Sequence, residues 1–312
     1  MLFRSDSADT CLKISQIGKK MGYPITAVHV PKTVDNDLPI TDNCPGFGSV
    51  AKYIAVSTLE ASYDVASMCK TSTKVFVLEV MGRHAGWIAA AGAMASTDDH
   101  EIPIVVLFPE VKFHQGKFLK NVDAKVKKFG YCTVVVSEGV AWPNGKFLAE
   151  TGLKDAFGHS QLGGAAPVVA EMIQAKLGHK YHWGVADYMQ RAARHIASKS
   201  DVEQAYATGK AAVEYAIKGH NSVMPAIKRV SNSPYKWKIE MAPLSKVANV
   251  EKMMPKGFIS KDGFGITKKC REYLEPLIRG EDYPAYGKNG LPKYVQLKKV
   301  MVKKKCPDFK IK

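Results

Sequence analysis

A short loop at residues 31–37 concentrates the side chains that phosphoryl transfer requires. It reads Pro-Lys-Thr-Val-Asp-Asn-Asp and directly follows an apolar run. Phosphoryl transfer needs positive charge beside the moving group and a carboxylate that orients the attacking hydroxyl. Lys32 supplies the positive charge, and Asp35 or Asp37 supplies the carboxylate. Because Asp and Asn also favour turns unaided, the residue types alone weigh an ordinary turn equally against a catalytic site.

Two further loops follow predicted strands and carry residue types that bind ligands. Met81-Gly82-Arg83 joins a glycine, which lets the backbone approach a ligand, to a guanidinium that can bind phosphate through two hydrogen bonds. Glu138 follows another strand, where its carboxylate could accept hydrogen bonds from hydroxyl groups. The alternatives are an ordinary turn with a surface arginine and an acidic first turn of a helix.

The segments around these loops alternate between strand-like and helix-like patterns. Apolar runs predict strands at residues 23–30, 74–80, 104–108 and 131–137. Near-helical spacing predicts helices at residues 50–68, 87–95, 113–129, 164–177 and 201–218. This alternation predicts an α/β fold with a parallel sheet covered by helices, whose ligands bind beyond the carboxyl ends of the strands.

A net charge of +16 over 312 residues raises the question of a polyanionic partner. Much of the excess lies in a lysine-rich C-terminal tail that is interrupted by valines and by Pro307. No aromatic residues alternate with basic ones as they do in a nucleic-acid-binding platform, so no nucleic acid partner is expected. No apolar run reaches the length of about 18 residues that suggests a membrane span, so no membrane partner is expected either.

The cysteines and histidines indicate neither a disulfide framework nor a zinc site. Six cysteines are scattered without a Cys-x-x-Cys pair, and no secretory leader is evident, which favours reduced thiols in the cytoplasm. His179 and His182 lie three residues apart, but no nearby cysteine or carboxylate completes a zinc set. A surface or packing role is therefore expected for both histidines.

Taken together, the loops resemble those of the phosphofructokinase family. Residues 31–37 look like the family's P-[GK]-T-[IV]-D-N-D loop, and residues 79–83 look like its E-V-M-G-R segment. Glu138 stands at the glutamate of the S-E-G motif, and residues 188–191 resemble the Y-x-Q-R segment. The resemblance covers nearly the whole chain, and its C-terminal part is similar to the long bacterial branch that uses pyrophosphate.

The resemblance implies a fold of two parallel-sheet, Rossmann-like domains that face each other across a cleft. Residues 1–46 and 190–240 would form the remainder of a phosphate-donor domain, and residues 47–189 would form a fructose 6-phosphate (acceptor) domain. Residues 241–312 would be a C-terminal extension packed on the main body. The family's glycine-rich strand-loop-helix unit is absent before Asp6, so the first domain is expected to be incomplete and the chain N-terminally truncated.

Carried over position by position, the resemblance implies a role for each matching residue. Asp35 would be the base that takes the proton from the 1-hydroxyl of fructose 6-phosphate. Lys32 and Arg83 would be catalytic residues near the transferred group. The residues that would bind substrate or order its loop are Thr33, Val34, Asp37, Met81, Gly82, Glu138, Tyr188, Met189, Gln190 and Arg191.

Two positions imply the phosphoryl donor. Members of the family that use ATP have glycine where Lys32 and Asp6 stand here. A lysine can stabilise charge on pyrophosphate, and a carboxylate at position 6 would crowd and repel the α-phosphate of ATP. The resemblance therefore implies pyrophosphate, with Mg²⁺ to neutralise its charge, and it assigns no metal-binding residue.

The implied reaction is phosphoryl transfer from pyrophosphate to fructose 6-phosphate, giving fructose 1,6-bisphosphate in glycolysis. The alternative is an inactive relative that binds fructose 6-phosphate without turnover, because the donor cradle is missing and Ser5 stands where a metal-associated Asp or Asn is usual. Lys74 and His182 occupy places from which basic side chains reach a neighbouring subunit. The resemblance thus implies a homodimer or a larger homo-oligomer.

Overall fold

The computed structural model describes residues 6–23, 25–154, 160–162 and 164–303. Its strands in these ranges are β1 (Val75–Val80), β2 (Ile104–Leu107), β3 (Cys132–Ser137), β4 (Glu150–Lys154), β5 (Ser160–Leu162), β6 (Tyr181–Val185), β7 (Val223–Asn232) and β8 (Tyr235–Pro243). The α-helices are α1 (Asp6–Lys20), α2 (Phe47–Met68), α3 (Trp87–Gly92), α4 (Gln115–Phe129), α5 (Ala165–Leu177), α6 (Met189–Ala192), α7 (Lys199–Ile217) and α8 (Lys268–Leu274). Across the described ranges, no helix combines the length and the apolar character that crossing a membrane requires.

A four-stranded parallel sheet in the order β2-β3-β1-β6 organises the larger part of the molecule. Every residue of β2 and β3 is buried, as expected for strands whose two faces are both covered. The last residue of β1, Val80, lies opposite the last residue of β3, Ser137. The carboxyl ends of these two strands therefore meet at one edge, and the predicted α/β class with a parallel sheet is confirmed.

Helices cover both faces of this sheet and define two cores. Because successive strand residues point to opposite faces, Leu78 belongs to a core with Ile54 of α2, whereas Val77 belongs to a core with Phe118 of α4. α3 lies on the first face and α5 on the second. The predicted helices correspond to α2, α3 with a short 3₁₀ continuation, α4, α5 and α7, whereas α1 was not predicted.

Glu79 is a buried carboxylate within β1 that fixes the start of α5. Its two oxygens accept hydrogen bonds from the backbone N–H groups of Gly164 (3.1 Å) and Ala166 (2.8 Å). Burial raises the pKa of Glu79, while these two hydrogen bonds oppose the rise. The positive end of the helix dipole also favours the carboxylate. The contact ties the helix that follows the β4–β5 hairpin to the central strand of the sheet.

A second layer consists of the antiparallel hairpin β7–β8 with α1 and α7. Ala8 of α1 packs with Leu38, Cys44, Met224 of β7 and Leu244 in a small separate core. Leu38 and Cys44 belong to the loop at residues 31–45, so this core anchors that loop. The division into donor and acceptor domains at residues 46 and 190 stays a prediction.

The expectation of a buried strand at residues 23–30 is wrong. In the structure this segment makes one isolated parallel bridge, between Val28 and Val223 at the start of β7. Tyr23 is 67% exposed, and Val28 lines an open cleft. Within the described ranges the segment has no continuous ladder partner, so its apolar residues do not form a strand.

The described part of the chain after β8 packs on the larger sheet and its helices through a few buried side chains. Cys270, Leu274 and Leu277 are almost completely buried in the core that α2 and α3 share. Farther along, residues 293–303 have no regular secondary structure, and Leu297 among them is 89% exposed. The extension therefore contributes to the core through α8 and the short 3₁₀ turn Glu275–Ile278.

Candidate functional site

The loops that follow β1 and β3 are joined by hydrogen bonds at the carboxyl edge of the sheet. The backbone N–H of Gly82 donates to Oε1 of Glu138 (3.3 Å), and the N–H of Glu138 donates to the carbonyl of Val80 (3.0 Å). The hydroxyl of Ser137 donates to the carbonyl of Gly82 (2.5 Å). These contacts place two of the predicted binding segments, Met81-Gly82-Arg83 and Glu138, side by side.

Two glycines make this close approach possible. Gly82 has a φ of 131°, in a region that other residues rarely adopt, and a Cβ there would lie 2.7 Å from the carbonyl oxygen of Ala85. A Cβ on Gly139 would lie only 1.8 Å from the carbonyl oxygen of Arg83. Glycine at position 139 thus lets the two loops pack backbone against backbone.

Gln190 attaches the third predicted segment to the same edge. The side chain is 2% exposed, and its Oε1 accepts a hydrogen bond from the N–H of Met81 (3.3 Å) while its Nε2 donates to the carbonyl of Asp187 (2.8 Å). Both ends of the amide therefore bond to backbone. This geometry indicates that Gln190 holds the backbones of Met81 and Asp187 in place.

The neighbours of Gln190 face outward. Tyr188 and Met189 are 61% and 62% exposed. The guanidinium carbon of Arg191 lies 3.9 Å from the centre of the Tyr188 ring, a cation–π contact that holds the arginine over the ring. Arg191 also lines a large cleft, so its charge remains available to a ligand there.

The cleft beside Arg191 brings together residues that are distant in the sequence. It has a volume of about 870 Å³ and is bordered by the first turns of α1 and by the loop at residues 31–37. Its lining residues are Asp6, Ser7, Thr10, Cys11, Ile14, Thr26, Ala27, Val28, Lys32, Thr33, Val34 and Arg191. The two positions that the sequence singled out for donor choice, Asp6 and Lys32, share this cleft.

The loop at residues 31–37 is held in a compact turn. The N–H of Asp35 donates to the hydroxyl of Thr33 (3.2 Å), and Asn36 adopts the left-handed conformation with a φ of 57°. Asp35 and Asp37 are only 3% and 7% exposed. Their carboxylates therefore lie in a protected environment, in which electrostatic interactions are stronger than in water.

A buried network of hydrogen bonds holds this loop in place. Asn36 donates through Nδ2 to the hydroxyl of Tyr273 (2.8 Å) and accepts from the N–H of Cys44 (3.1 Å). The Tyr273 hydroxyl donates to the carbonyl of Asp42 (2.7 Å), and burial raises its pKa well above the ordinary value. The guanidinium of Arg229 binds both oxygens of the Asp42 carboxylate at 3.0–3.1 Å.

Arg83 carries a buried donor that lacks a partner in the described part of the chain. Its Nε has no hydrogen bond there although it is shielded from solvent. An unsatisfied buried donor is costly, because its hydrogen bond to water is lost without replacement. A ligand that accepts this hydrogen bond would remove the cost.

The remaining candidates lie away from this edge. Lys74 precedes β1, at the opposite end of the strand from Met81, and its Nζ donates to the carbonyl of Cys69 (2.6 Å). His179 lies 3.4 Å from a carboxylate oxygen of Asp123, and His182 is exposed on β6. In the ranges described, no group of three or more His, Cys, Asp or Glu residues is arranged to hold a metal ion.

The C-terminal extension makes contacts with these loops that no sequence pattern predicted. Oε1 of Glu251 lies 3.0 Å from Nδ1 of His84, and Lys252 bonds to the loop of Asp35. The carboxylate of Glu110 accepts hydrogen bonds from the N–H groups of Gly86 (2.9 Å) and Met254 (3.3 Å). Because residues 241–280 show no regular apolar period, no sequence signal marked them as part of the site.

The fold and the cleft define an α/β protein whose candidate site lies beyond the carboxyl ends of parallel strands. Residues 5–216 match the protein family described as Phosphofructokinase. A relative from Halomonas elongata, named pyrophosphate–fructose 6-phosphate 1-phosphotransferase, is 65% identical over 306 residues, covering 98% of this chain and 73% of the relative. A relative with the same name from Methylococcus capsulatus is 67% identical over 300 residues, covering 96% of this chain and 71% of the relative.

A solved structure agrees with these matches. The crystal structure of pyrophosphate-dependent phosphofructokinase from Nitrosospira multiformis matches with a TM-score of 0.91 at 69% identity, covering 98% of this chain and 73% of that one. The chain belongs to the phosphofructokinase family, as its loop motifs predicted.

Replacing Gly139 by alanine should force the two site loops apart. The new Cβ would overlap the carbonyl oxygen of Arg83, so we expect Gly139→Ala to lower the free energy of unfolding by about 1–3 kcal/mol, the usual range for overpacking. Urea denaturation followed by circular dichroism measures this. Gly116→Ala is the control, because a Cβ at that helical position meets nothing within 4 Å. Equal stability of the two variants would contradict the proposed backbone contact.

Proposed function

We propose that this chain transfers a phosphoryl group from pyrophosphate to the 1-hydroxyl of fructose 6-phosphate. The products are fructose 1,6-bisphosphate and phosphate, in a reversible step of glycolysis. The observation that carries the proposal is the cleft in which Asp6, Lys32 and Arg191 come together. The names of the relatives from Halomonas elongata and Methylococcus capsulatus support the same reaction.

Asp35 is the proposed general base. As the 1-oxygen of the sugar attacks phosphorus, its proton passes to the Asp35 carboxylate, and the bond between phosphorus and the bridging oxygen of pyrophosphate breaks. The burial of Asp35 and the turn fixed by Thr33 support this role, because a base must be held within hydrogen-bond reach of the hydroxyl. Asp37 helps to hold the loop that carries the base.

Three residues are proposed to hold the sugar phosphate. Arg83 offers its buried Nε–H together with its charge, and Arg191 offers a guanidinium on the cleft wall. Glu138, positioned by the N–H of Gly82, would accept hydrogen bonds from sugar hydroxyls. Guanidinium groups suit phosphate because they bind two of its oxygens in one plane.

Lys32 and Asp6 are proposed to select the donor. Lys32 would stabilise the negative charge that develops as the phosphoryl group leaves pyrophosphate. Asp6 begins α1 at the edge of the cleft, and its Oδ1 is buried without a hydrogen-bond partner among the residues described. A carboxylate there would repel the additional phosphate of a nucleotide.

Mg²⁺ is the proposed counter-ion of pyrophosphate. Mg²⁺ prefers oxygen ligands, usually keeps several waters and is commonly bound by one or two carboxylates together with substrate phosphates. Asp6 on the cleft wall offers a carboxylate of this kind. When bound, the ion would neutralise charge on the donor, while Lys32 and Arg83 act on the transferred group.

A homodimer or larger homo-oligomer is also proposed. β6 lies at the edge of the described four-stranded sheet, and Trp183 on it is 46% exposed. Lys74 and His182 lie near the starts of adjacent strands, so one interface could include both. Exposed aromatic residues on a sheet edge favour association. A monomeric mass in light scattering of the purified chain would contradict this proposal.

The cytoplasm is the proposed compartment. The cysteines in the described ranges, which are Cys11, Cys44, Cys69, Cys132 and Cys270, all carry free thiols. Free thiols suit a reducing compartment, where disulfides are rare. Burial raises the pKa of Cys132 and Cys270 to about 12, which keeps these thiols protonated and unreactive.

Asp35→Asn should strongly slow the proposed reaction while preserving the shape of the loop. Removing a general base usually costs about 10²–10⁴-fold, so we expect kcat to fall by that factor with KM for fructose 6-phosphate little changed. The assay follows fructose 1,6-bisphosphate with pyrophosphate, or with ATP, in the presence of Mg²⁺.

Asp99→Asn is the matched control, because Asp99 is exposed in a loop away from the cleft and should leave kcat unchanged. Turnover with pyrophosphate but not ATP, lost only in Asp35→Asn, is the expected pattern. If folded wild-type chain turns over neither donor, the proposed reaction is wrong for this chain. Retention of binding to fructose 6-phosphate would then favour the non-catalytic alternative.

Lys32→Gly should weaken use of pyrophosphate specifically. Loss of one charged group that stabilises the transition state typically costs about 10²–10³-fold, so kcat/KM for pyrophosphate should fall by that factor. KM for fructose 6-phosphate should stay within about threefold, since Lys32 is assigned to the donor. Lys70→Gly, at an exposed lysine outside the cleft, is the control. An equal loss of kcat/KM for pyrophosphate in both variants would contradict the assignment of Lys32 to the donor.

A further inference from the structure

Lys252, in the C-terminal extension, is bonded to the loop that carries Asp35. Its Nζ donates to Oδ1 of Asn36 (3.2 Å), to the carbonyl of Thr41 (3.2 Å) and to the carbonyl of Asp42 (2.9 Å). An ammonium group has three N–H donors and no acceptor, so these contacts use its full capacity. All three acceptors lie within seven residues of one another on the same loop.

The backbone of Lys252 extends the connection in two directions. Its N–H donates to the carbonyl of Asp37 (2.6 Å), and its carbonyl accepts from Nε1 of Trp87 (3.2 Å). The ammonium also lies 5.3 Å from the centre of the Trp87 ring. Because Trp87 begins α3, directly after the loop of Arg83, Lys252 links the loop of Asp35 to the helix that follows the loop of Arg83.

The neighbours of Lys252 reinforce the second connection. Glu251 pairs with His84 at 3.0 Å, within the loop of Arg83. The N–H of Met254 donates to the Glu110 carboxylate (3.3 Å), which also accepts from Gly86 at the end of that loop. Residues 251–254 are called the strap below, since they join the two loops from outside the sheet.

We infer that Lys252 is a positioning residue that fixes the loop of Asp35 relative to the loop of Arg83. The inference concerns the physical connection, and its catalytic consequence rests on the proposed function. A general base must lie within hydrogen-bond reach of the hydroxyl, and a displacement of about 1 Å can reduce a rate by about 10²-fold. Two loops from different parts of the chain need a shared anchor to keep such a spacing.

The charge of Lys252 suits this role. Burial lowers the pKa of Lys252, whereas the negative charges near it, on Asp42 and Asp37 and on Cys44 when ionised, oppose the fall. The backbone carbonyls that it binds also favour the charged form, because a hydrogen bond to an ionised group is stronger than one between neutral groups. A neutral side chain at position 252 would leave these acceptors without their donor.

Lys252→Met tests the inference, because methionine keeps the length of the side chain without its charge. We expect amide hydrogen exchange to become about tenfold faster or more in residues 35–44 and 83–87, where the strap is bonded. With the wild-type chain active, kcat should fall by about 100-fold and KM for fructose 6-phosphate should stay within about threefold. Mass spectrometry of peptic fragments and steady-state assays give both readouts.

Arg271→Met is the matched control for lost stability. Arg271 lies in the same extension, and its guanidinium donates to the carbonyls of Ala93 (3.2 Å) and Ser96 (2.7 Å), outside both loops. We expect this variant to lose stability but to keep kcat and the exchange rates of the two loops. Lys252→Arg is a milder second variant that keeps the charge but not the directions of the three donors. Its exchange rates should lie between those of the wild type and Lys252→Met.

Hydrogen exchange and steady-state kinetics of these variants test whether Lys252 fixes the two loops. Wild-type exchange of residues 35–44 in both Lys252 variants would overturn it, as would equal losses of kcat in Lys252→Met and Arg271→Met. If the wild-type chain shows no turnover, the proposed function fails, and hydrogen exchange alone still decides whether Lys252 fixes the two loops. If Lys252→Met does not fold, the exchange rates of Lys252→Arg decide.

Discussion

The parallel pairing of β1 with β3 is the constraint on which the rest of the site depends. Because Val80 lies opposite Ser137, β1 and β3 end at the same edge of the sheet. The loops that follow them must therefore occupy one small volume. That crowding is tolerated because Gly139 presents no side chain to the carbonyl of Arg83. The carboxylate of Glu138 then accepts a hydrogen bond from the N–H of Gly82, and the two loops are held together largely by backbone geometry.

The loop of Asp35 follows a different physical rule. It is not the continuation of a buried strand, so its shape comes from hydrogen bonds to side chains from other parts of the chain. Buried polar groups are paired with one another in a network made of Asn36, Asp42, Arg229, Lys252 and Tyr273. Such groups are expensive to bury when unpaired, and a paired network favours one loop conformation.

The conformations of the two groups of loops are determined by different parts of the structure. The loops after β1 and β3 are set by the register of the sheet, whereas the Asp35 loop is set by the β7–β8 hairpin and the C-terminal extension. A variant in the extension can thus affect the geometry of the site without contacting a ligand. This explains how a segment without a regular sequence pattern can hold the loop of Asp35 in one conformation.

The sequence by itself determined the α/β class, the buried strands β1 to β3, most of the long helices and the family. Those features rest on local patterns, namely apolar runs, helical spacing and short motifs such as Met81-Gly82-Arg83. It was wrong about residues 23–30, because an apolar run does not reveal whether a neighbouring strand is present to pair with it. Only the tertiary structure showed that Gln190 bonds to Met81 and that Lys252 bonds to the Asp35 loop. Contacts between residues more than a hundred positions apart depend on the packing of whole elements, which no local pattern encodes.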